Sequence, residues 1–198
     1  MRKTTLFKRS SRLSICAMLL LCLVQAPLAA QDQNAHSERL LGAGLDLFPS
    51  FLAADQQLTD KLDKDGFLLL YIVHHNNQRG AQTIAAQLKD IKKIRGAPLR
   101  VVIRQDYDAL FPQEQPAAIF IAQPRLPHLA ALVLYGKEKG IITFSPFAGD
   151  ITQGVSGSIT VNAHILPQVN MTTLAESELR LKPFFLRIAS PYPETEIP

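Results

Sequence analysis

Two adjacent histidines, His74 and His75, open the run HHNNQRG at the end of the apolar segment 67–73, followed by Asn76, Asn77, Arg79 and Gly80. Imidazoles, amides, a guanidinium and free loop amides are the groups that hold a small anion, and a helix starting just after them would add its own N-terminal N–H groups. Adjacent residues at a strand end point to opposite sides, so His74 and His75 cannot readily chelate one ion together. His36, His128 and His164 show no spacing that would complete a metal site, and none is assigned.

Other patterns come close to a chemistry and fall short of it. Gly154, Val155, Ser156, Gly157 and Ser158 only loosely resemble a nucleophile elbow, because the second glycine comes one residue early and the segment alternates like a strand. Asp106, Asp108 and Glu114 offer carboxylates, yet nothing in the sequence sets a base or an oxyanion hole beside them, so they read as surface acids. Aligning Asp63, Asp65 and Gly66 with a calcium loop puts Lys61 at the first ligand and Ile72 at the bidentate acid, which leaves a solvated turn. Gly42 to Gly44 lacks the strand and the third glycine of a dinucleotide loop. These patterns point to binding without turnover: no catalytic residue, no cofactor and no enzyme activity are assigned.

The elements that must position these residues follow from periodicity. FLLLYIV (67–73) is a short apolar run of the kind that forms a strand covered on both faces. Ala81, Ile84, Ala85, Leu88 and Ile91 mark one face of a helix stopped by Gly96 and Pro98. LRVVIR (99–104), AAIFIAQ (117–123) and IITFS (141–145) read as further strands, with a short helix between the first two and a crossover helix over 127–139 ending at Gly140. This is the grammar of a mainly parallel four-stranded sheet with crossover helices on both faces, an α/β fold. From Val155 to Met171 the pattern predicts an antiparallel hairpin with one face buried. Thr173 and Glu176 have capping-box spacing, and Pro183 suits the first turn of a closing helix carrying Phe184, Phe185 and Ile188.

Ahead of the sheet, Leu41, Leu45, Phe48 and Leu52 recur at helical spacing, with Phe51 widening the same face and Pro49 expected to kink or split the helix. That face suits a helix packed on its own core better than a docking surface. Residues 31–38 are polar and are assigned no structure. The first thirty residues have a basic start, an apolar core from about Ile15 to Val24 and small residues ending at Ala29 and Ala30, the form of a secretory signal. That apolar core is about half the length of a membrane span.

The formal charge of +4 owes itself to Arg2, Lys3, Lys8, Arg9 and Arg12. Past Ala30 the chain has 16 basic against 17 acidic residues, so neither nucleic acid nor an anionic membrane surface is expected as a partner. Both cysteines, Cys16 and Cys22, fall inside the leader, which leaves the exported chain without disulfide or thiol chemistry. The expected organisation is a signal peptide over 1–30, a polar arm with an amphipathic helix over 31–66, an α/β domain over 67–190 and a tail over 191–198.

The order of the pieces from Phe67 to Ala189 resembles the YfiR family of periplasmic regulatory proteins. The likeness rests on the first strand with its polar loop, then APLRVV, AAIFIAQ, the Ser145 to Asp150 loop SPFAGD, a hairpin beginning near Gly154, and LRLKPFFLRIA at the end. In that last segment Leu181, Phe185, Leu186 and Ala189 fit the usual pattern, while Pro183 and Phe184 replace more common residues. The paired cysteines and the Trp-Pro pair of many relatives are missing here. The resemblance implies a non-enzymatic regulator in the periplasm that acts on the periplasmic segment of an inner-membrane sensor or diguanylate cyclase, and it is compatible with a homodimer. The alternative is a soluble component of an envelope transport system that binds a small anionic ligand or metabolite. In either case the expected crevice lies outside the carboxyl ends of the strands, lined by His74, His75, Asn76, Asn77, Arg79, Gly80, Arg125, Ser145 and Phe147.

Overall fold

The computed structural model describes residues 26–193 apart from Asn162. The chain divides into two compact units, 1–38 and 39–198. The leader expected over 1–30 lies mostly outside the described residues; its last five, with 31–38, form the start of helix α1, Ala26–Ala54. The polar stretch 31–38, assigned no structure from its sequence, is thus helical. It lacks an apolar stripe, but its Gln, Ala and Glu residues favour a helix and run on into one that has such a stripe.

Pro49 does not split α1. A proline inside a helix costs roughly 3 kcal/mol. Phe48, Phe51 and Leu52 around it are fully buried, and each such burial is worth about 1.5–3 kcal/mol, so packing carries the helix through.

The strands follow as β1 (Leu68–His74), β2 (Lys93–Ile94), β3 (Ala97–Gln105), β4 (Ala118–Ile121), β5 (Ile142–Phe144), β6 (Gly157–Val161), β7 (Ile165–Asn170) and β8 (Ser190–Tyr192). Helices α2 (Gln78–Asp90) and α3 (Leu129–Lys139) make the crossovers, and the short α4 (Met171–Glu176) and α5 (Pro183–Ile188) follow the hairpin. All lie in one eight-stranded sheet of order β2-β3-β1-β4-β5-β6-β7-β8. The four strands expected to be parallel are its centre, in the order β3-β1-β4-β5. The expectation of four strands is corrected to eight: β2 adds to β3 at one end, and at the other the hairpin β6–β7 and then β8 continue the sheet, Phe144 of β5 pairing in parallel with Gly157 of β6. Of the strand pairs among the described residues, β2–β3 and β6–β7 are antiparallel.

Alternation along β1 divides the core. Leu68, Leu70 and Ile72 pack with α1, α2, Leu174 and Phe185; Leu69, Tyr71 and Val73 pack with α3, Ile151 and Val155. On the first face the rings of Phe48, Phe51, Phe120, Phe144 and Phe185 run in contact, with centroids 5.1–5.7 Å apart.

Four local expectations are corrected. Ser156 and Ser158, placed on an open face of the hairpin, are buried with their hydroxyls bonded to Thr143 and to the Ser145 carbonyl, while Val161 is 50% exposed. Asn170 caps α4 by accepting the Thr173 N–H at 2.9 Å, and Glu176 pairs with Lys137 at 2.6 Å, so no capping box forms. In α5 Pro183 stands in the first turn as expected, but only Phe185 of the three apolar residues is buried, Phe184 and Ile188 being exposed. The strand after α2 begins at Ala97 and forms a tight hairpin with β2.

Gly157 sits where a Cβ would stand 2.5 Å from Phe51 Cζ, whereas a Cβ on Gly42 in α1 would meet nothing within 4 Å. Gly157→Ala is therefore expected to lower stability by about 1–3 kcal/mol through overpacking, and Gly42→Ala to raise it by about 0.5–1 kcal/mol through helix propensity. Thermal or urea midpoints of the two variants test this; equal shifts in the same direction would contradict it.

Candidate site at the carboxyl edge of the sheet

β1 lies between β3 and β4, so the three loops that leave their carboxyl ends meet. Two glutamines tie the β1 loop to its neighbours: the His75 N–H donates to Gln123 Oε1 at 2.9 Å and the Asn76 N–H to Gln105 Oε1 at 3.3 Å. Asn76 takes a left-handed turn with φ 54°. Asn77 then caps α2 by accepting the Gly80 N–H at 3.2 Å. A Cβ on Gly80 would stand 2.5 Å from the Asn77 side chain, so a larger residue there would displace the cap.

The two histidines part as strand alternation requires. His74 is fully buried; its Nδ1 accepts the Asn77 N–H at 3.2 Å, and its Nε2 has no partner among the described residues. His75 turns to the α3 side, where its Nδ1 lies 3.1 Å from Asp106 Oδ1. His128, just before α3, brings its own Nδ1 to 2.7 Å from Asp106 Oδ2. A carboxylate only accepts, so both rings present Nδ1–H to it, which leaves each Nε2 as an acceptor. The His75 Nε2 lies 3.0 Å from the Asn76 side-chain nitrogen. Beside the cluster, Tyr107 meets the His128 ring edge-on at 5.8 Å and contacts Phe111 at 5.5 Å; the two aromatics are 59% and 70% exposed.

Asp106 is buried, which pushes its carboxyl pKa up; hydrogen bonds from His128, His75 and the Tyr107 backbone outweigh that, so the group is held below the usual aspartate range. This is a His–Asp–His arrangement in which two part-exposed rings share one buried carboxylate. With Nδ1–H on the carboxylate, the Nε2 of His128 is left to accept from a ligand or partner.

The structure gathers some of the expected crevice residues and not others. His75, Asn76, Asn77 and Gly80 build this edge; Arg79, in the first turn of α2, and Arg125, on the loop after β4 with φ 56°, are exposed. Ser145 and Phe147 are buried: the Ser145 hydroxyl donates to Asp150 Oδ2 at 2.5 Å, and Phe147 packs in the α3-side core. Burial pushes the Asp150 carboxyl up, and the bond from Ser145 only partly offsets it. Ser156, the elbow-like serine, shares bonds with Thr143 in the interior. Sequence reasoning missed Asp106 and His128 as partners of His75, and Tyr107 and Phe111 as their neighbours. They lie 31 and 53 residues from His75 at the extremes that matter, and only the strand order brings Asp106 and His128 together with it.

A larger cavity, of about 500 Å³, opens at the opposite end of the sheet and is lined by Gln57, Lys61, Lys137, Lys139 and Glu176 among others. Of its charges, Lys61 lies 2.7 Å from buried Asp55, and Lys137 pairs with Glu176.

No family model matches this sequence, and no curated protein does. Two solved structures share the fold. One is a conserved domain protein from Vibrio cholerae O1 biovar El Tor, 10% identical with a TM-score of 0.50, covering 67% of this chain and 57% of that one. The other is an ABC domain from Streptococcus pneumoniae in complex with L-Trp, 8% identical with a TM-score of 0.51, covering 71% of this chain and 59% of that one. The chain thus spans less than two thirds of either structure. At such identities the likeness speaks for the α/β fold alone.

Two of the buried aspartates, Asp106 and Asp150, make opposite predictions. Asp106 has a depressed folded pKa, so its contribution is present above the unfolded value and lost as pH falls through the folded one. Asp106→Asn should lower stability by roughly 1–3 kcal/mol at neutral pH, with the deficit shrinking towards pH ~3. Asp150 has a raised folded pKa, so the wild type gains stability on acidification, and Asp150→Asn should be most favourable relative to wild type at neutral pH and lose that advantage in acid. Urea midpoints across this range decide both; a pH-independent difference in either variant would contradict the assignment.

Proposed function

We propose that this protein is an exported binding protein of the regulatory kind, acting without turnover on the periplasmic segment of an inner-membrane signalling protein such as a diguanylate cyclase. The observation that carries this reading is the carboxyl edge, where the exposed rings of Tyr107 and Phe111 stand beside two imidazoles fixed by one buried carboxylate. Aromatic anchors with a few oriented polar groups are what protein interfaces concentrate their affinity in. The nearby hydroxyls that chemistry would need are held in internal bonds, Ser145 to Asp150 and Ser156 to Thr143. The YfiR resemblance supports the same reading and supplies the kind of partner. Regulation would follow from differential binding: a domain that prefers one arrangement of the sensor tenfold shifts its equilibrium by about 1.4 kcal/mol.

A second reading has an observation of its own. Arg79, in the first turn of α2, and Arg125, on the loop after β4, are both exposed at this edge, a setting for a small anionic metabolite delivered to an envelope transport system. The Streptococcus pneumoniae domain of similar fold was solved in complex with L-Trp, which is compatible with a small-molecule ligand here.

Deleting the gene should change cellular cyclic-di-GMP, wild-type protein should restore it, and a Tyr107→Ala/Phe111→Ala double variant with an unchanged thermal midpoint should not. Unchanged cyclic-di-GMP on deletion would remove the regulatory reading. A thermal-shift panel of anionic metabolites separates the alternative: stabilisation that grows with ligand, reaching about 2.7 kcal/mol at a hundred times Kd, would favour the solute binder.

A further inference from the structure

β3 is nine residues long, yet β2 pairs only with its first two, Ala97 and Pro98. On the other side β1 pairs with β3 from Leu99 to Gln105. Backbone groups of a strand alternate between its two sides. The Leu99 N–H still turns outward, to the Lys92 carbonyl at 3.0 Å, while the Asp106 N–H turns inward, to the His74 carbonyl at 2.9 Å. The outward groups between them are therefore the N–H and C=O of Val101 and Ile103, with the Leu99 C=O and the Gln105 N–H at the ends. Among the described residues no strand covers them. Long open edges of this kind are templates for a further strand.

The side chains on this edge give the partner its character. Leu99, Val101 and Ile103 lean on the α2-side core, and Arg100, Val102 and Arg104 alternate onto the other face. Arg100 is answered by Asp63 at 2.8 Å and by Glu114. Arg104 has no carboxylate partner among the described residues: its guanidinium lies over the Tyr71 ring at 5.4 Å, and its buried Nε is unbonded. A groove of about 190 Å³ lined by Tyr71, Arg100, Val102, Arg104, Gln113 and Glu114 runs beside it. Over residues 89–104 six side chains are basic and one is acidic.

We propose that the free edge of β3 receives an extended segment of a partner protein as an added strand, with an acidic side chain of that segment seated on Arg104. Strand addition takes its affinity from backbone bonds to Val101 and Ile103 and its specificity from the alternating side chains. Charge favours an acidic partner over a second copy of this chain in the register that overlaps the edge with Val101 opposite Ile103, since Arg100 then stands opposite Arg104 on both sides, and like charges directly opposed are destabilising. The edge is separate from the His75–Asp106–His128 cluster, so the proposal stands or falls independently of the regulatory reading.

The test uses the full chain and two synthetic seven-residue peptides, one alternating Glu with Val and one alternating Lys with Val, with amide hydrogen exchange as readout. The Glu peptide should slow exchange at Val101 and Ile103, about tenfold at ten times its Kd; the Lys peptide should not. Arg104→Gln should abolish the response, and Arg104→Glu should transfer it to the Lys peptide, with circular dichroism checking that each variant keeps the fold. Overturning results are unchanged exchange at about 1 mM Glu peptide, equal response to both peptides, or slowing that follows the protein's own concentration without peptide, which would assign the edge to a second copy.

Discussion

Phe51 needs the space that a side chain at residue 157 would take, and that single requirement ties the helix to the sheet. A parallel sheet has to be covered on both faces. Here the cover on one face is α1, seated through Phe48 on Phe120 and Phe144 and through Phe51 on Phe144 and Phe185. Gly157 pairs with Phe144, so the residue that joins the hairpin to the central strands is also the one that leaves room for the ring. Sheet extension and helix docking are two consequences of one missing Cβ. The same ring cluster explains why Pro49 is tolerated: the helix is held by what it buries more than by its own ladder.

With β1 fixed at the centre, the carboxyl edge has little freedom. His75 can reach Asp106 only because β1 and β3 are in register through His74 opposite Gln105, which places the next residue of each at the same height. Gln123 enters from the other neighbour and takes the His75 N–H, and His128 reaches Asp106 from the start of the α3 crossover. The cluster therefore inherits its geometry from strand order, and each loop is pinned by a side chain from the adjacent one.

What could be read beforehand was whatever periodicity and punctuation encode locally. The apolar runs of β1, β4 and β5 are visible because strands buried on both faces need continuous hydrophobic residues, and Gly140 marks the end of α3 because that position takes φ 62°. The parting of His74 and His75 followed from alternation alone. The hairpin defeated the same reasoning, because Ser156 and Ser158 look solvated by type but are satisfied internally by Thr143 and the Ser145 carbonyl, a compensation that exists only once β5 and β6 are neighbours. The capping box failed for a related reason: Asn170, one residue before α4, took the Thr173 N–H while Glu176 found Lys137 in another helix. Ser145 and Phe147 were placed in the crevice because they follow a strand's carboxyl end, yet the chain after β5 turns back into the core through Asp150.

β3 contributes to both surfaces that the fold leaves available. Its last residue, Gln105, turns its backbone N–H to the open edge while its side chain holds the Asn76 N–H, and the next residue, Asp106, holds the two imidazoles. A strand added along Val101 and Ile103 would thus end one residue from the buried carboxylate. Contiguity of this sort is not yet coupling, since a shared strand transmits a preference only if it has two arrangements for the sites to choose between. The left-handed turn at Asn76 and the bonds from both glutamines argue for a single arrangement of the β1 loop. On that geometry the edge and the cluster are expected to bind additively, each adding its own contacts to a larger partner without altering the other's affinity.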